Sequence, residues 1–487
     1  MSRLVVGPFN RVEGDLEVRL DLADGRVRSA EVSAPLYRGF EAMLIGRVPE
    51  DALAIVPRLC GICSVSQSAA AAFALADAAG ISAPPNGQLA ANLVLACENL
   101  ADHLAHFYLF FMPDFARPAY AQRPWFPAVH ARFAAGGGTA GPEAMAARTA
   151  FFHIAGLLAG KWPHTLALAP GGTTRAPGTG EKIRLRLVLA GFRQFLETRL
   201  FGCALEAFAG LATPAQLAGW QHAAAPESCD LRLFLHAADE LGLAGLGRLD
   251  LPLMSFGAYV SEADGRLFRA GLIADGALHA LDPGDIREDT SHAWLRSAAP
   301  LPPAAGRTEP DIDVPGAYTW CKAPRLSGRP VEVGALARQL VDGQPLLRAL
   351  HGGNGRNGGT NVVARVLARA VELARVVPAM ERWSSLLEAG APCCVPAPLP
   401  AGGSGIGLIE AARGSLGHWL GIDGGRIRHY QNIAPTTWNF SPRSADGVPG
   451  PLEQALIGTA VEPGETVPLA VQHVVRSFDP CMSCTVH

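Results

Sequence analysis

The chain has 487 residues, of which 49% are hydrophobic and only 17% charged, enough apolar surface for an extensive core and too apolar for a disordered chain. Its formal net charge of -3 gives no electrostatic reason to expect nucleic acid as a partner. Ten cysteines over this length do not make a disulfide scaffold.

The first residues, Met1-Ser2-Arg3-Leu4-Val5-Val6, lack a secretory pattern, so the expected location is cytoplasmic. Residues 4–34 alternate apolar and polar positions around Asp24-Gly25, which predicts an N-terminal hairpin or small antiparallel sheet. From about residue 50 the pattern turns helical. Apolar residues recur at spacings of three and four over 65–79, 88–111, 148–159, 181–210, 229–241, 333–350 and 361–388. Connections rich in glycine and proline lie between them, most clearly at 136–138, 300–315, 352–359 and 392–407. Within the most apolar stretches Glu98, Asp102, His103, His106 and His153 interrupt the run, so no membrane span is expected.

Gly353-Asn354-Gly355-Arg356-Asn357-Gly358 fits G-x-G-x-x-G, but a helical pattern precedes it where a nucleotide fingerprint needs a strand, so it is read as a loop. No internal repeat is visible. The fold expected is α+β, predominantly α: one domain over 1–487, with a β-rich segment over about 1–50, a helical core over about 51–487, and long Gly/Pro-rich loops. Length alone would suggest about three domains, but two cysteine pairs at opposite ends must meet if they form one site.

Those pairs are Cys60-Gly61-Ile62-Cys63 and, at the end, Cys481-Met482-Ser483-Cys484. Each C-x-x-C step puts two sulfurs on one side of a single turn, so together they can offer four thiolates to one metal centre. A structural zinc site is one use of four soft ligands. Zinc ribbons, however, close over about 15–20 residues, and closing a loop of about 400 residues costs ~3 kcal/mol more. That expense points to a functional centre at the heart of the fold. Asp102 and His106 share a helical face beside His103 and Phe107. For the two histidines a role at the centre and a satisfied core network are equally open. The six remaining cysteines, including Cys393 and Cys394, read as reduced and mostly buried.

With these pairs and the strings between them, the sequence resembles the large subunit of nickel-iron hydrogenases, whose signatures are R-x-C-G-x-C near the start and D-P-C-x-x-C-x-x-H at the end. Arg58 to Cys63 and Asp479 to His487 match. Between them, in the expected order, lie Arg11-Val12-Glu13-Gly14, Arg38-Gly39-Phe40-Glu41, His103-Leu104-Ala105-His106-Phe107-Tyr108, Tyr318-Thr319-Trp320, Lys322-Ala323-Pro324-Arg325, Arg413-Gly414 and Pro435-Thr436-Thr437-Trp438-Asn439. The resemblance spans the full length.

It implies that Cys60 and Cys481 hold nickel terminally while Cys63 and Cys484 bridge nickel and iron, with carbon monoxide and cyanide on the iron. Hydrogen would be split heterolytically, its proton passing to a nearby base. Cys481 and Arg413 are the two candidates, and the carboxylates matching Asp102 and Asp479 share the canopy over the metals with Arg413. Glu13 matches the carboxylate that passes protons to the exterior; its alternative is a salt bridge to Arg11 or another base. Glu41 and His487 match the ligands of a magnesium or similar hard ion. Oxygen suits that ion better than imidazole, so His487 is expected mainly to anchor the terminus.

Several departures narrow the subtype. Gln67 stands where the family has a histidine, and an amide tunes a hydrogen bond to the bridging sulfur without offering a proton switch. Ile62 and Phe110 replace the smaller Val and Leu of many members along the gas channel, which should slow oxygen more than hydrogen. Ala412 replaces the proline beside Arg413, a change expected to loosen the guanidinium. The sequence also stops at His487, without the extension that catalytic members lose in maturation, either because the sequence is that of the mature product or because none was encoded. Gln67, Ile62 and Phe110 together favour the second and resemble the regulatory, hydrogen-sensing subgroup. The expected partners are a small subunit carrying iron-sulfur clusters, since no further cysteine cluster exists here, and a sensor histidine kinase. The alternatives are an uptake hydrogenase and a noncatalytic relative from respiratory complex I.

Overall fold

Apolar alternation at the start folds as an antiparallel meander of β1 (Ser2–Val6), β2 (Glu17–Ala23) and β3 (Arg26–Ser33), with β2 in the middle. Val18, Leu20, Val27 and Val32 point inward and are buried. Asp24 and Gly25 both take positive φ, 52° and 70°, the left-handed pair that a two-residue hairpin turn demands. The computed structural model describes residues 2–261, 265–296, 299–352, 359–396 and 398–485. It is 45% helical and 19% strand, so the α+β, predominantly α expectation holds. The 353–358 loop and His487 lie outside the described residues.

The strongest helical patterns fold close to where they were expected. Helix α1 (Ser64–Ala79) follows Cys63 directly and ends at Gly80, whose φ of 64° stops it. Helix α2 (Pro85–Ala105) begins on a proline, which suits the first turn, and runs into a π turn over His106–Phe111. Helices α3 (Thr179–Phe195), α4 (Asp230–Leu241) and α5 (Val362–Leu386) follow; the Asn361 side chain caps α5 by accepting from Ala364 N at 3.0 Å.

Three expected helices break where local chemistry interrupts the period. The 181–210 pattern ends at Gly202 with φ 63°, and Leu205–Ala209 is a separate turn. The 333–350 pattern splits into Ala335–Asp342 and Pro345–His351 around Gly343, φ 93°. The 148–159 pattern divides between Ala140–Phe151 and His153–Ala159.

The main correction lies near the C-terminus. The region read as helical core with a loop over 392–407 contains a second antiparallel sheet, β4 (Gly403–Ala411), β5 (Gly414–Asp423) and β6 (Arg426–Ile433). Helix α1 lies directly on β4. A Cβ at Gly405 would sit 1.9 Å from Ala74 O, and one at Gly407 would sit 1.9 Å from Ala70 O. Those glycines, which read as loop, are where helix backbone touches strand backbone. Helix α5 packs on α2 in the centre of the molecule, and the last helix, α6 (Leu469–Ser477), packs on α5 and delivers the C-terminal segment to the core. Among the described residues no helix is long and apolar enough to cross a membrane.

Candidate metal centre

Both ends of the chain meet at the cysteines. Cys60 Sγ lies 3.3 Å from Cys481 Sγ, Cys63 Sγ lies 2.9 Å from Cys484 Sγ, and Cys481 Sγ lies 3.2 Å from Cys484 Sγ. The four sulfurs fall within 4.8 Å of one another, and each residue is at most 8% exposed. The Cys60–Cys481 and Cys63–Cys484 contacts each join one cysteine from the head to one from the tail, the same pairing as the expected terminal and bridging sets. Four thiols so close cannot all ionise unaided. Hydrogen bonds from the other three sulfurs hold Cys60 well below the ordinary thiol range, while the shared protons and burial push Cys63 and Cys484 well above it. A cation resolves this frustration, so the donor set fits a thiophilic centre.

Backbone contacts lock the tail to the head. Glu13 pairs with Cys481 as an isolated parallel bridge, and Met482 N donates to Glu13 O at 2.7 Å. Gly14 is required there: its φ is 76°, and a Cβ would meet Ser483 N at 2.8 Å. The Arg38 guanidinium donates to Leu59 O on one cysteine segment and Ser483 O on the other. Thr436 Oγ1 accepts from Cys481 N at 3.1 Å. The strings Arg11–Gly14, Arg38–Glu41 and Pro435–Asn439 therefore share one task, holding the two halves in register.

Arg413, 4% exposed, stands in contact with both expected carboxylates. Nη1 and Nη2 donate to Asp102, Nη2 donates to Asp479 Oδ1 at 3.1 Å, and Nε donates to the Asp479 carbonyl at 2.7 Å. Burial raises Asp102 to about 7 even beside the guanidinium, whereas at Asp479 the neighbouring Arg413 and Arg369 outweigh burial and hold the carboxyl low. Both carboxylates in turn hold the Arg413 proton tightly.

The backbone before Arg413 is held from behind. Arg338, completely buried, donates to Ala411 O at 2.8 Å and Ala412 O at 3.0 Å, the two carbonyls before Arg413. The same guanidinium is bidentate to Glu372 at 3.1 and 3.0 Å and reaches Glu410 at 2.8 Å.

Other expected residues fall around the centre. Glu13 is half-buried and does not pair with Arg11, which instead joins Asp114; burial, and behind it the neighbouring Cys60 and Asp479, raise its carboxyl. Gln67, one turn after Cys63, accepts from His418 and Asn432. Ile62 is half-buried against the main core, and Phe110 is half-buried on the π turn after α2. His106 donates from Nε2 to Arg476 O at 2.7 Å, and His103 Nε2 lies 3.6 Å from Glu372; burial lowers both imidazoles, His106 to about 3. Glu41 is buried, accepting from Asn432 N at 2.8 Å, Gln431 at 3.1 Å, Thr308, and Lys322 at 3.1 Å. An ammonium thus neutralises Glu41, and a hard ion there would have to displace it.

Arg338 carried no sequence signal of its own, Arg38 entered only within a matched string, and Glu98 only as a polar interruption. Glu98, on α2, caps α1 by accepting from Val65 N and Ser66 N at 2.8 Å each, and from Trp162 Nε1 at 3.0 Å. It fixes the helix that begins at Cys63. A buried glutamate inside an apolar helical pattern, flagged only as an interruption, was the available clue.

The family model for nickel-dependent hydrogenases matches residues 38–123 and 242–487. The periplasmic [NiFeSe] hydrogenase large subunit of Desulfomicrobium baculatum is 30% identical, with 100% of this chain and 95% of that protein aligned. The uptake hydrogenase large subunit of Azotobacter chroococcum mcd 1 is 29% identical over 100% of this chain and 95% of its own. Among solved structures, the Ni-Fe-Se hydrogenase from D. vulgaris Hildenborough in the reduced state superposes with a TM-score of 0.85 at 29% identity, covering 100% of both chains.

Proposed function

The chain belongs to the nickel-dependent hydrogenase family, and from that premise we propose that it is the large subunit of a nickel-iron hydrogenase that oxidises H2, of the uptake kind. Carrying this proposal is the retention of all four cysteine donors, gathered from head and tail within 4.8 Å under a paired arginine. A noncatalytic relative would have no reason to keep four buried thiols in mutual conflict. The full-length likeness to a protein named as an uptake hydrogenase subunit supports this kind over the sensor.

In this proposal Cys60, Cys63, Cys481 and Cys484 would hold nickel, and Cys63 and Cys484 would also hold an iron carrying carbon monoxide and cyanide. When bound, the centre supplies heterolytic cleavage of H2. The protein's own part is to exclude water, fix charge and move the proton. Two carboxylates keep Arg413 protonated, so it serves as a fixed positive charge, and Cys481 Sγ is the first proton acceptor. Glu13, bonded through its main chain to the Cys481 segment and half-buried, takes that proton onward to the exterior. Among the described residues the four cysteines are the only cluster of this kind, so electrons leave through a partner, an iron-sulfur small subunit. A magnesium or similar ion at Glu41 and His487, and a cytoplasmic location for a chain with ten free cysteines, complete the proposal.

Infrared spectra and metal analysis of the purified complex test the centre: carbonyl and cyanide bands with about one nickel per large subunit are expected, and silence there or zinc in place of nickel would end the proposal. Glu13→Gln should cut H2 turnover and H2–D2O exchange together, and Arg413→Lys should cut turnover with the metals retained. If both variants keep full turnover and exchange, these two roles are wrong. A second reading, the regulatory sensor, is favoured by Gln67, Ile62 and Phe110. It predicts slow turnover, resistance to oxygen and a stable complex with a histidine kinase; rapid turnover with no such complex would exclude it.

A further inference from the structure

Gln67 is fully buried on α1 and uses only half of its amide. Its Oε1 accepts from His418 Nε2 at 2.8 Å and from Asn432 Nδ2 at 2.9 Å, while its Nε2 has no hydrogen-bond partner. A buried NH2 group without an acceptor is costly, which marks a missing partner. Helical side chains lean toward the N-terminus, so Gln67 reaches back over the turn that carries Cys63, four residues earlier. Thiolates of the Cys63–Cys484 pair are the acceptors that would complete the amide.

One residue further out decides which way round the amide sits. His418 Nδ1 lies 2.6 Å from Tyr430 Oη. Burial keeps the Tyr430 hydroxyl protonated, so it can donate to Nδ1, the role required when Nε2 donates to the acceptor-only Gln67 Oε1. That leaves the imidazole proton on Nε2, where it donates to Gln67 Oε1. In the other tautomer Nε2 would accept, drawing the Gln67 NH2 toward itself and turning a carbonyl oxygen onto the sulfurs, where it has nothing to accept. Asn432 also offers its NH2 to the same oxygen, its own Oδ1 having no hydrogen-bond partner.

We propose that Tyr430 and His418 are positioning residues that orient the Gln67 amide so that its NH2 donates to the bridging thiolates. The proposal rests on the nickel-iron reading of the centre. Its effect is to draw charge from those sulfurs and so from the iron they would bridge, without any change in protonation.

Infrared spectra of the intact complex, taken for the parent, Tyr430→Phe, Gln67→Leu and the double variant at matched nickel and iron content, test this. Loss of the Tyr430 hydroxyl frees His418 to change tautomer, so Tyr430→Phe should add a second carbonyl band at lower frequency, where a thiolate without its donor leaves more charge on iron. Gln67→Leu should give a single band displaced the same way, and adding Tyr430→Phe to it should change nothing. An unaltered spectrum in Tyr430→Phe, or the same change with leucine at 67, would overturn the proposal. A parent with no carbonyl band would instead remove the premise, and the inference with it.

Discussion

Replacing Arg338 by methionine removes a buried cation while keeping its volume, and its consequences can be worked from the contacts. The guanidinium makes five hydrogen bonds, two to Glu372, one to Glu410 and two to the carbonyls of Ala411 and Ala412, all at 3.1 Å or less. Breaking a buried pair by deleting one partner costs about 3–5 kcal/mol, and here two carboxylates lose the same cation, so the upper end applies. With the unfolding entropy expected at this length, 1 kcal/mol moves the melting temperature by about 1 °C, giving a loss of about 5 °C near pH 7. The pH dependence has a definite sign. Burial alone would raise Glu372, but Arg338 holds it at about 2, so in the parent this group stabilises the fold above its ordinary range and loses that contribution only as pH falls toward 2. In the variant, Glu372 and Glu410 are buried without a cation and their folded-state affinities for protons rise above the unfolded ones. The deficit is therefore largest near pH 7 and shrinks as pH falls toward 5. Thermal melts of parent and variant at both pH values, with Glu372→Gln added as a partial rescue, measure this. A deficit that is absent, or that grows on acidification, refutes the clamp.

Gly407→Ala should destabilise by about 1–3 kcal/mol, because its Cβ would stand 1.9 Å from Ala70 O and force α1 off β4; nickel content should fall with it, since Cys63 and Gln67 ride on α1 or its cap. Arg38→Met should leave far-ultraviolet circular dichroism unchanged but lower metal retention against a chelator, because it unties Leu59 from Ser483. Glu98→Gln should flatten part of the stability–pH profile. Burial raises Glu98 from 4.5 to about 7, so the folded state binds the extra proton and the parent loses stability as pH climbs through that window, whereas an amide cannot titrate; urea midpoints between pH 5 and 8 read the difference.

What could be seen in the sequence follows from how local each signal is. Long apolar periods gave α1, α2, α4 and α5 to within a few residues, and the Asp24-Gly25 turn gave the first sheet. The second sheet was hidden by its own glycines: Gly403, Gly405 and Gly407 read as part of a connection, and only the helix backbone lying across Gly405 and Gly407 explains those two. At the centre, the cysteines, Glu13, Asp102 and Arg413 stood out as motifs. Arg338, Glu98, His418 and Tyr430 did not, because each is defined by a partner at least 12 residues away, from Tyr430 on His418 to Gln67 on His418 at a separation of 351. The helix breaks at Gly202 and Gly343 were legible as glycines, but their φ of 63° and 93° was not.

The placement of the donors explains why the supporting layer is so extensive. Loop closure across most of the chain costs ~3 kcal/mol beyond a local staple, and nothing in the cysteines themselves offsets it before a cation is present. The offset comes from contacts that the tail makes as a unit: Met482 N on Glu13 O, Cys481 N on Thr436, Ser483 O under Arg38, and Asp479 on Arg413. The last of these couples charge to assembly. Without the tail, Arg413 would face Asp102 alone; with it, the same residue stretch completes both the ion pair and the sulfur set, Asp479 and Cys481 being separated only by Pro480. Docking of the last eight described residues therefore closes the metal site and the charge above it in one step, and a variant that weakens either should weaken both.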